Sequence, residues 1–354
     1  MRYYTRYKIC AVMCVLMAIY YCSCVDVIDL RAEEAEDIFI IDGFVYSDGR
    51  DPIVNIRRSA AFVSGPEGAQ MPVSGAQIEI MEVGGPTIEL IEVEAGVYST
   101  VQPLGTVGTE YVLKVDVDGD SYESLLERMP PTVPIAALDW TTKELFVDNI
   151  AGNVEIQKRV VVLAEVDLSK FEEEIFLRYR IDGVWEFREA FAGGNPLNLN
   201  PISCYITEQV DLNNVALLDG RIVSNGALIQ QSIIEEHINF RFAYNFCFTV
   251  TQESISNTAF NFWNSVQSEF ERTGDIFEAP PARIKGNVFN TNDTNNNVIG
   301  LFSAISSSTS NITISGLSFT PAPIGQCVIF SNRPESCFRC ETINNASTIK
   351  PDCL

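Results

Sequence analysis

The chain has one histidine, His237, a shortage of cations, and no apolar run near its start long enough to cross a bilayer. A lone imidazole argues against most zinc hydrolases and against Ser–His–Asp chemistry, which need well-placed histidines. Lys and Arg number 24 against 47 Asp and Glu, so the net charge is −23 and an anionic nucleic acid would be repelled. No phosphate-cradling glycine loop followed by Lys-Ser/Thr occurs, and no dinucleotide fingerprint, so no cofactor is indicated. Carboxylates are so abundant that spacing alone nominates no glycosidase couple. What remains is a chain of 354 residues, 46% hydrophobic and 20% charged. That is globular composition, of a length for about two domains.

The first two dozen residues read as an address. Arg2, Arg6 and Lys8 make a positive n-region, and Ile9 to Tyr21 is an apolar run of 13 residues. A span needs about 20 helical residues, so the run fits the core of a secretory signal. Ser23 and then Cys24 follow. This resembles a bacterial lipobox, which implies cleavage before Cys24 and lipidation of its thiol, with residues 1–23 removed. Tyr21 and Cys22 depart from that pattern, which prefers Leu and then a small residue before the cysteine. Cys22 fits less well as acceptor, because Tyr21 stands where a small residue belongs. The alternative is an ordinary signal with an unmodified cysteine, or an uncleaved anchor. Two or three acyl chains would anchor the chain stably, each buried methylene contributing about 0.8 kcal/mol. Losing residues 1–23 removes three basic and no acidic residues, moving the net charge from −23 to −26. Residues 24–37 then read as an acidic, solvated tether. Acidic residues behind a lipidated cysteine also resemble a surface-export signal of Bacteroidota. The expected address is the outer membrane, with the periplasmic or cell-surface face left open.

Strand signals dominate from Ile38. Ala76 to Val83 alternates apolar and polar, Gly84-Gly85-Pro86 breaks the run, and Ile88 to Val93 alternates again. About seven short strands between turns predict an immunoglobulin-like β-sandwich over 38–129. Pro130-Pro131-Thr132-Val133-Pro134 reads as a stiff linker. A larger β-rich domain follows over 135–354, with strand-like runs at Val160–Val166, Ile175–Ile181, Ile238–Tyr244 and Phe246–Val250. One helix is predicted over about 256–273. Ala259, Trp263, Val266 and Phe270 fall on one face of it, which places Trp263 and Phe270 against a sheet. The expected fold class is therefore mainly β with one amphipathic helix.

Several short motifs carry a family likeness. They are Pro72-Val73-Ser74-Gly75-Ala76, Gly96-Val97-Tyr98, Ala259-Phe260-Asn261-Phe262-Trp263, Gly274-Asp275-Ile276-Phe277-Glu278-Ala279-Pro280-Pro281, Gly286-Asn287-Val288, Gly300-Leu301-Phe302 and Cys337-Phe338-Arg339-Cys340. With them the chain resembles the DUF4249 family of Bacteroidota lipoproteins. The resemblance implies an accessory or capture role beside a TonB-dependent outer-membrane receptor in nutrient uptake, an inference from association and not from any site. Two other classes stay open: a surface hydrolase using carboxylates, and a structural or adhesive surface protein.

Few residues offer chemistry. Cys204, Cys247, Cys327, Cys337, Cys340 and Cys353 remain after the signal, an even number suited to disulfides in an oxidising compartment. The C-terminal tail is poor in apolar residues and predicts a bridge from Cys337, Cys340 or Cys353 to one of the other three. Cys337-x-x-Cys340 alone could also suggest a redox dithiol or half a zinc site, but it lacks the βαβ setting of the first and the second close pair of the second. Asp116, Asp118 and Asp120 fit positions one, three and five of a calcium loop, but Ser121 stands where such a loop needs glycine. Asp118-Gly119 reads instead as a hairpin turn. Trp185, Phe187 and Phe191 are ligand-facing aromatic candidates or core residues. Glu235-Glu236 reads as a solvated edge.

Overall fold

The computed structural model describes residues 38–59, 71–148, 152–190, 202–210, 214–222, 228–271, 284–293, 298–328 and 334–354. Cys24, the signal, the acidic tether, Phe191 and the expected helix end at 272–273 lie outside the described residues. The chain is mainly β, as its alternating runs predict.

Strands β1 (Phe39–Tyr46) and β2 (Ile53–Arg58) form a hairpin, and β2 continues to β3 (Met71–Pro72) and β6 (Val97–Ser99). A second layer joins β4 (Gln77–Glu82), β5 (Thr87–Glu94), β7 (Glu110–Val117), β8 (Asp120–Ser124) and β9 (Glu127–Arg128). Period-two burial follows from the sequence: Phe39, Ile41 and Val45 of β1 point inward with Ile78 and Ile80 of β4 and Leu113 and Val115 of β7. Two sheets sharing one core is consistent with the expected sandwich.

That core is completed from far along the chain. β17 (Val288–Asn290) pairs with β8, and β18 (Val298–Ile299) and the start of β19 (Phe302–Ser315) run parallel to β1. Val288, Phe302 and Ala304 therefore sit in the N-terminal core. The Gly-Asn-Val and Gly-Leu-Phe motifs make this closure. The Asn287 amide donates to the Phe302 carbonyl and accepts from the Phe302 N–H, both at 2.7 Å. A Cβ on Gly286 would lie 1.7 Å from the Gly300 carbonyl oxygen, and Gly300 itself has φ +151° with Ile41 O in the way. Only glycine allows these backbones to meet.

The second half has its own two layers. β10 (Ile135–Asp148), β11 (Val154–Asp167) and β15 (Leu228–His237) form an antiparallel three-stranded sheet. β12 (Phe176–Arg188) pairs with β13 (Ser203–Gln209) and β14 (Ala216–Asp219) on one side and with β16 (Asn245–Ile255) on the other. β16 in turn pairs with β19 over ten residues, and β20 (Ala346–Ser347) adds to β13. Val160, Val162 and Ile233 of one layer pack with Leu177, Tyr179, Phe246 and Phe248 of the other. β19 thus serves both halves: Phe302–Ile305 pair with β1 and Ser306–Ser315 with β16.

Two sequence readings change. Ile238–Tyr244 is not a strand: Phe240–Phe242 form a short 3-10 helix, because the Asn239 side chain accepts from the Arg241 N–H and caps the turn. The helix α1 (Asn257–Phe270) is present, with the Ser256 hydroxyl accepting from the Ala259 N–H at 3.1 Å. Its buried contacts are Ala259 and Phe260, not the full predicted stripe. Phe260 packs on Phe176 with ring centroids 5.1 Å apart, Trp263 is half-buried, and Phe270 is 52% exposed. Among the described residues the first turns of α1 pack on the sheet and the far end of the stripe, at Phe270, is left uncovered.

Candidate functional site

A cavity of about 690 Å³ opens where β14 and β15 approach each other, with the end of β13 and Gln267 of α1 at its sides. Among the described residues β14 pairs only with β12, and β15 only with β11. The two strands approach each other with no ladder between them among the described residues. Side-chain amides bridge the gap instead. Gln231 Nε2 donates to the Leu217 carbonyl at 2.7 Å, and Asn214 Nδ2 donates to the Ile233 carbonyl at 3.4 Å. Two of the lining residues, Arg159 and Gln231, each keep one side-chain atom, Nε and Oε1, buried with no hydrogen-bond partner among the described residues.

Arg241 organises the wall. Its guanidinium donates to Glu208 and, at 2.5 Å, to Glu236. Burial opposes charge on Arg241, but the two carboxylates more than offset it and hold the guanidinium more firmly protonated than usual. Glu235, also in the lining, pairs with Lys143 at 2.9 Å. The carboxylates are thus committed to cations. The wall offers hydrogen-bond donors and acceptors beside apolar surface from Val215, Leu217, Ile233 and Ile234. Among the described residues of the lining, no carboxylate stands free of a cation.

The sequence candidates fall elsewhere. Trp185 and Phe187 are core residues, edge-on to each other at 5.9 Å, with Trp185 also edge-on to Phe240 at 5.6 Å. Asp118 and Gly119, both with positive φ, make the two-residue turn between β7 and β8, and the Asp118 carboxylate pairs with Arg58. Asp116 accepts from the Ser121 hydroxyl. Among the described residues no three potential metal ligands come together. All six candidate cysteines are paired: Cys204 with Cys340, Cys247 with Cys353, and Cys327 with Cys337. His237 lies exposed at the end of β15.

Sequence reasoning missed Arg241, Gln231 and Asn214, which lie on separate elements with no motif linking them. It placed Glu235-Glu236 at a solvated edge, whereas both line the cavity and are only partly exposed. The one signal was Arg241 itself, a cation set between two phenylalanines.

The fold and this cavity define a mainly β protein with a cleft beside strands β14 and β15. A family model described as a domain of unknown function, DUF4249, matches residues 25–311, and the chain belongs to that family. The match ends before Cys327, Cys337, Cys340 and Cys353. No curated protein matches the chain.

Proposed function

We propose that this is a lipid-anchored outer-membrane accessory protein that uses the cleft between β14 and β15 to hold a partner or nutrient beside a TonB-dependent receptor. The cleft carries the reading, because it joins a ligand-sized volume to a lining of charged and amide side chains beside apolar ones. Family membership and the signal ending at Ser23-Cys24 support the address. Complete pairing of the six downstream cysteines suits an oxidising compartment. A hydrolase fits less well, since Glu208 and Glu236 are both taken up by Arg241.

The test is purification from mildly solubilised outer membranes, with the wild-type chain and Cys24→Ala compared. The expected result is fatty-acid labelling and membrane fractionation that depend on Cys24, with a TonB-dependent receptor recovered alongside the wild type. Recovery of the wild-type chain alone would remove the receptor role. Membrane-bound, fatty-acid-labelled Cys24→Ala would remove the anchor.

A further inference from the structure

We propose that Arg50, Arg178 and Arg180, gathered on the outer face of the sheet formed by β12, β16 and β19, are a site for the oxyanion group of a small ligand: a carboxylate, sulfate or phosphate. The site shares no residue with the lining of the cleft and stands apart from the role given to it. Three observations carry it.

First, strand register assembles the cations on one face. Arg178 and Arg180 alternate along β12 with Leu177, Tyr179 and Ile181, which enter the core, so both arginines point outward. Arg178 lies opposite Glu253 on β16, and Glu253 lies opposite Ser307 on β19. The turn after β1 closes the group. The Ser307 hydroxyl donates to Asp48 at 2.6 Å, while Arg50 donates to Asp48 at 2.8 Å and to Ser307 at 3.2 Å. The Arg50 guanidinium lies 3.8 Å from the Tyr46 ring centroid, as that of Arg178 lies 3.7 Å from that of Trp263.

Second, the charges do not balance. Asp48 takes up Arg50, which leaves Glu253 to serve both Arg178, at 3.3 Å, and Arg180, at 3.8 Å. One buried carboxylate thus answers two guanidiniums. That is a local excess of cation in a chain where 47 acidic residues outnumber 24 basic ones. An incoming oxyanion completes the pairing, because guanidinium forks match it in charge and shape. The net charge of −23 opposes anions at a distance, so recognition is by contact and not by steering.

Third, donors stand ready. Arg180 approaches Glu253 only beyond hydrogen-bond distance, and it makes no hydrogen bond to the described residues. Its side chain is 39% exposed, which leaves its N–H groups open to a ligand. The Tyr46 hydroxyl likewise makes no hydrogen bond to the described residues, and it lies within electrostatic reach of all three guanidiniums. Burial raises its pKa above the ordinary 10.0 against the pull of those cations, so it stays a neutral O–H donor.

The experiment titrates the mature full-length chain with sulfate, inorganic phosphate and acetate in turn, in dilute chloride buffer at pH 7, followed by calorimetry. At least one should bind saturably with one equivalent, and the one that binds names the anionic group. Arg180→Gln should weaken that binding about tenfold or more. Tyr46→Phe should weaken it about fivefold, as expected for one hydrogen bond. Arg188→Gln is the control and should leave binding unchanged, since Arg188 sits at the far end of β12, held by Glu186 at 2.7 Å. The site is overturned by no saturable binding of any of the three anions, by unchanged affinity in Arg180→Gln or Tyr46→Phe, or by an equal loss in Arg188→Gln. Should Arg180→Gln lack the wild-type thermal transition, Tyr46→Phe decides alone, because it keeps the ring and removes only the hydroxyl.

Discussion

Glu127 is the residue whose surroundings oppose its chemistry most. It is buried where β9, the Asn287 segment and the N-terminus of α1 meet, and Asn287 Nδ2 donates to its Oε1 at 3.1 Å. Burial raises its carboxyl to about 7, against the lowering effect of hydrogen bonds from Ser256 and Asn287. In the unfolded chain the group titrates near its ordinary 4.5. Between those values the folded chain holds a proton that the unfolded chain has released, so stability falls as pH rises through that window and levels off above it. Glu127→Gln keeps an acceptor for Asn287 and removes the titration. At pH 8 the variant should be more stable than wild type by on the order of 3 kcal/mol, and near pH 4 about equal to it. Urea unfolding of both chains across this range checks it. A stability difference that does not change with pH would contradict the assignment.

At the scale of elements, α1 yields an ordered set of effects. Phe260 fills the junction core with Phe176, Ile255, Leu301 and Ile305. Phe260→Ala should cost about 3–5 kcal/mol. Trp263 is only half-buried, with the Arg178 guanidinium 3.7 Å from its ring centroid, while Arg178 also pairs with the buried Glu253 at 3.3 Å. Trp263→Ala should cost less, about 1–2 kcal/mol. Phe270→Ala should stay within about 0.5 kcal/mol. Thermal unfolding of the three variants decides it, and any other order would mean that α1 docks on a different face. The proline-rich segment gives a second element-scale prediction. Gln252 Nε2 donates to the Val133 carbonyl at 2.8 Å, the Ser306 hydroxyl donates to the Pro130 carbonyl at 2.6 Å, and Val133 is itself in the core. The segment is strapped down as well as stiff. Gln252→Ala should cost about 1–3 kcal/mol by leaving a buried carbonyl unpaired, and denaturant midpoints measure it.

The same elements mark what a sequence can and cannot disclose. Ile78 and Ile80 alternate with glutamates, so β4 was legible by period alone. β19 was not, because Ser306 to Asn311 is a run of Ser, Thr and Asn with no apolar alternation to mark a strand. It is a strand because β16 ladders it over ten residues, and its open face accepts small polar side chains. The cleft was illegible for a different reason. Its lining comes from the ends of β13, β14 and β15 together with Arg241, and which strands come side by side is something no local pattern encodes. Arg241 and Glu208 are 33 residues apart and meet only through that pairing.

For the whole molecule, the cysteines decide how the end of the chain is held. The C-terminal segment has modest contacts of its own: β20 pairs with Tyr205 and Ile206, the Ala190 N–H donates to the Cys337 carbonyl, and the Cys340 N–H donates to Glu189. Three bridges reinforce them over very different loops. Cys204–Cys340 spans 136 residues, Cys247–Cys353 spans 106, and Cys327–Cys337 only 10. Chain-entropy reasoning makes the long bridges worth about 4–5 kcal/mol each and the short one about 3. Replacing both members of a pair with alanine should therefore destabilise more for Cys204/Cys340 and Cys247/Cys353 than for Cys327/Cys337. Denaturant unfolding of the three double variants, each assayed without reductant, gives the ranking. Mass spectrometry of the unreduced, alkylated mature chain should find none of these six thiols modified. A Cys327/Cys337 variant that loses as much stability as the other two would locate the effect in packing at buried Cys337 and not in loop closure. Six alkylated thiols would remove the cross-links altogether and leave the tail to its few backbone contacts.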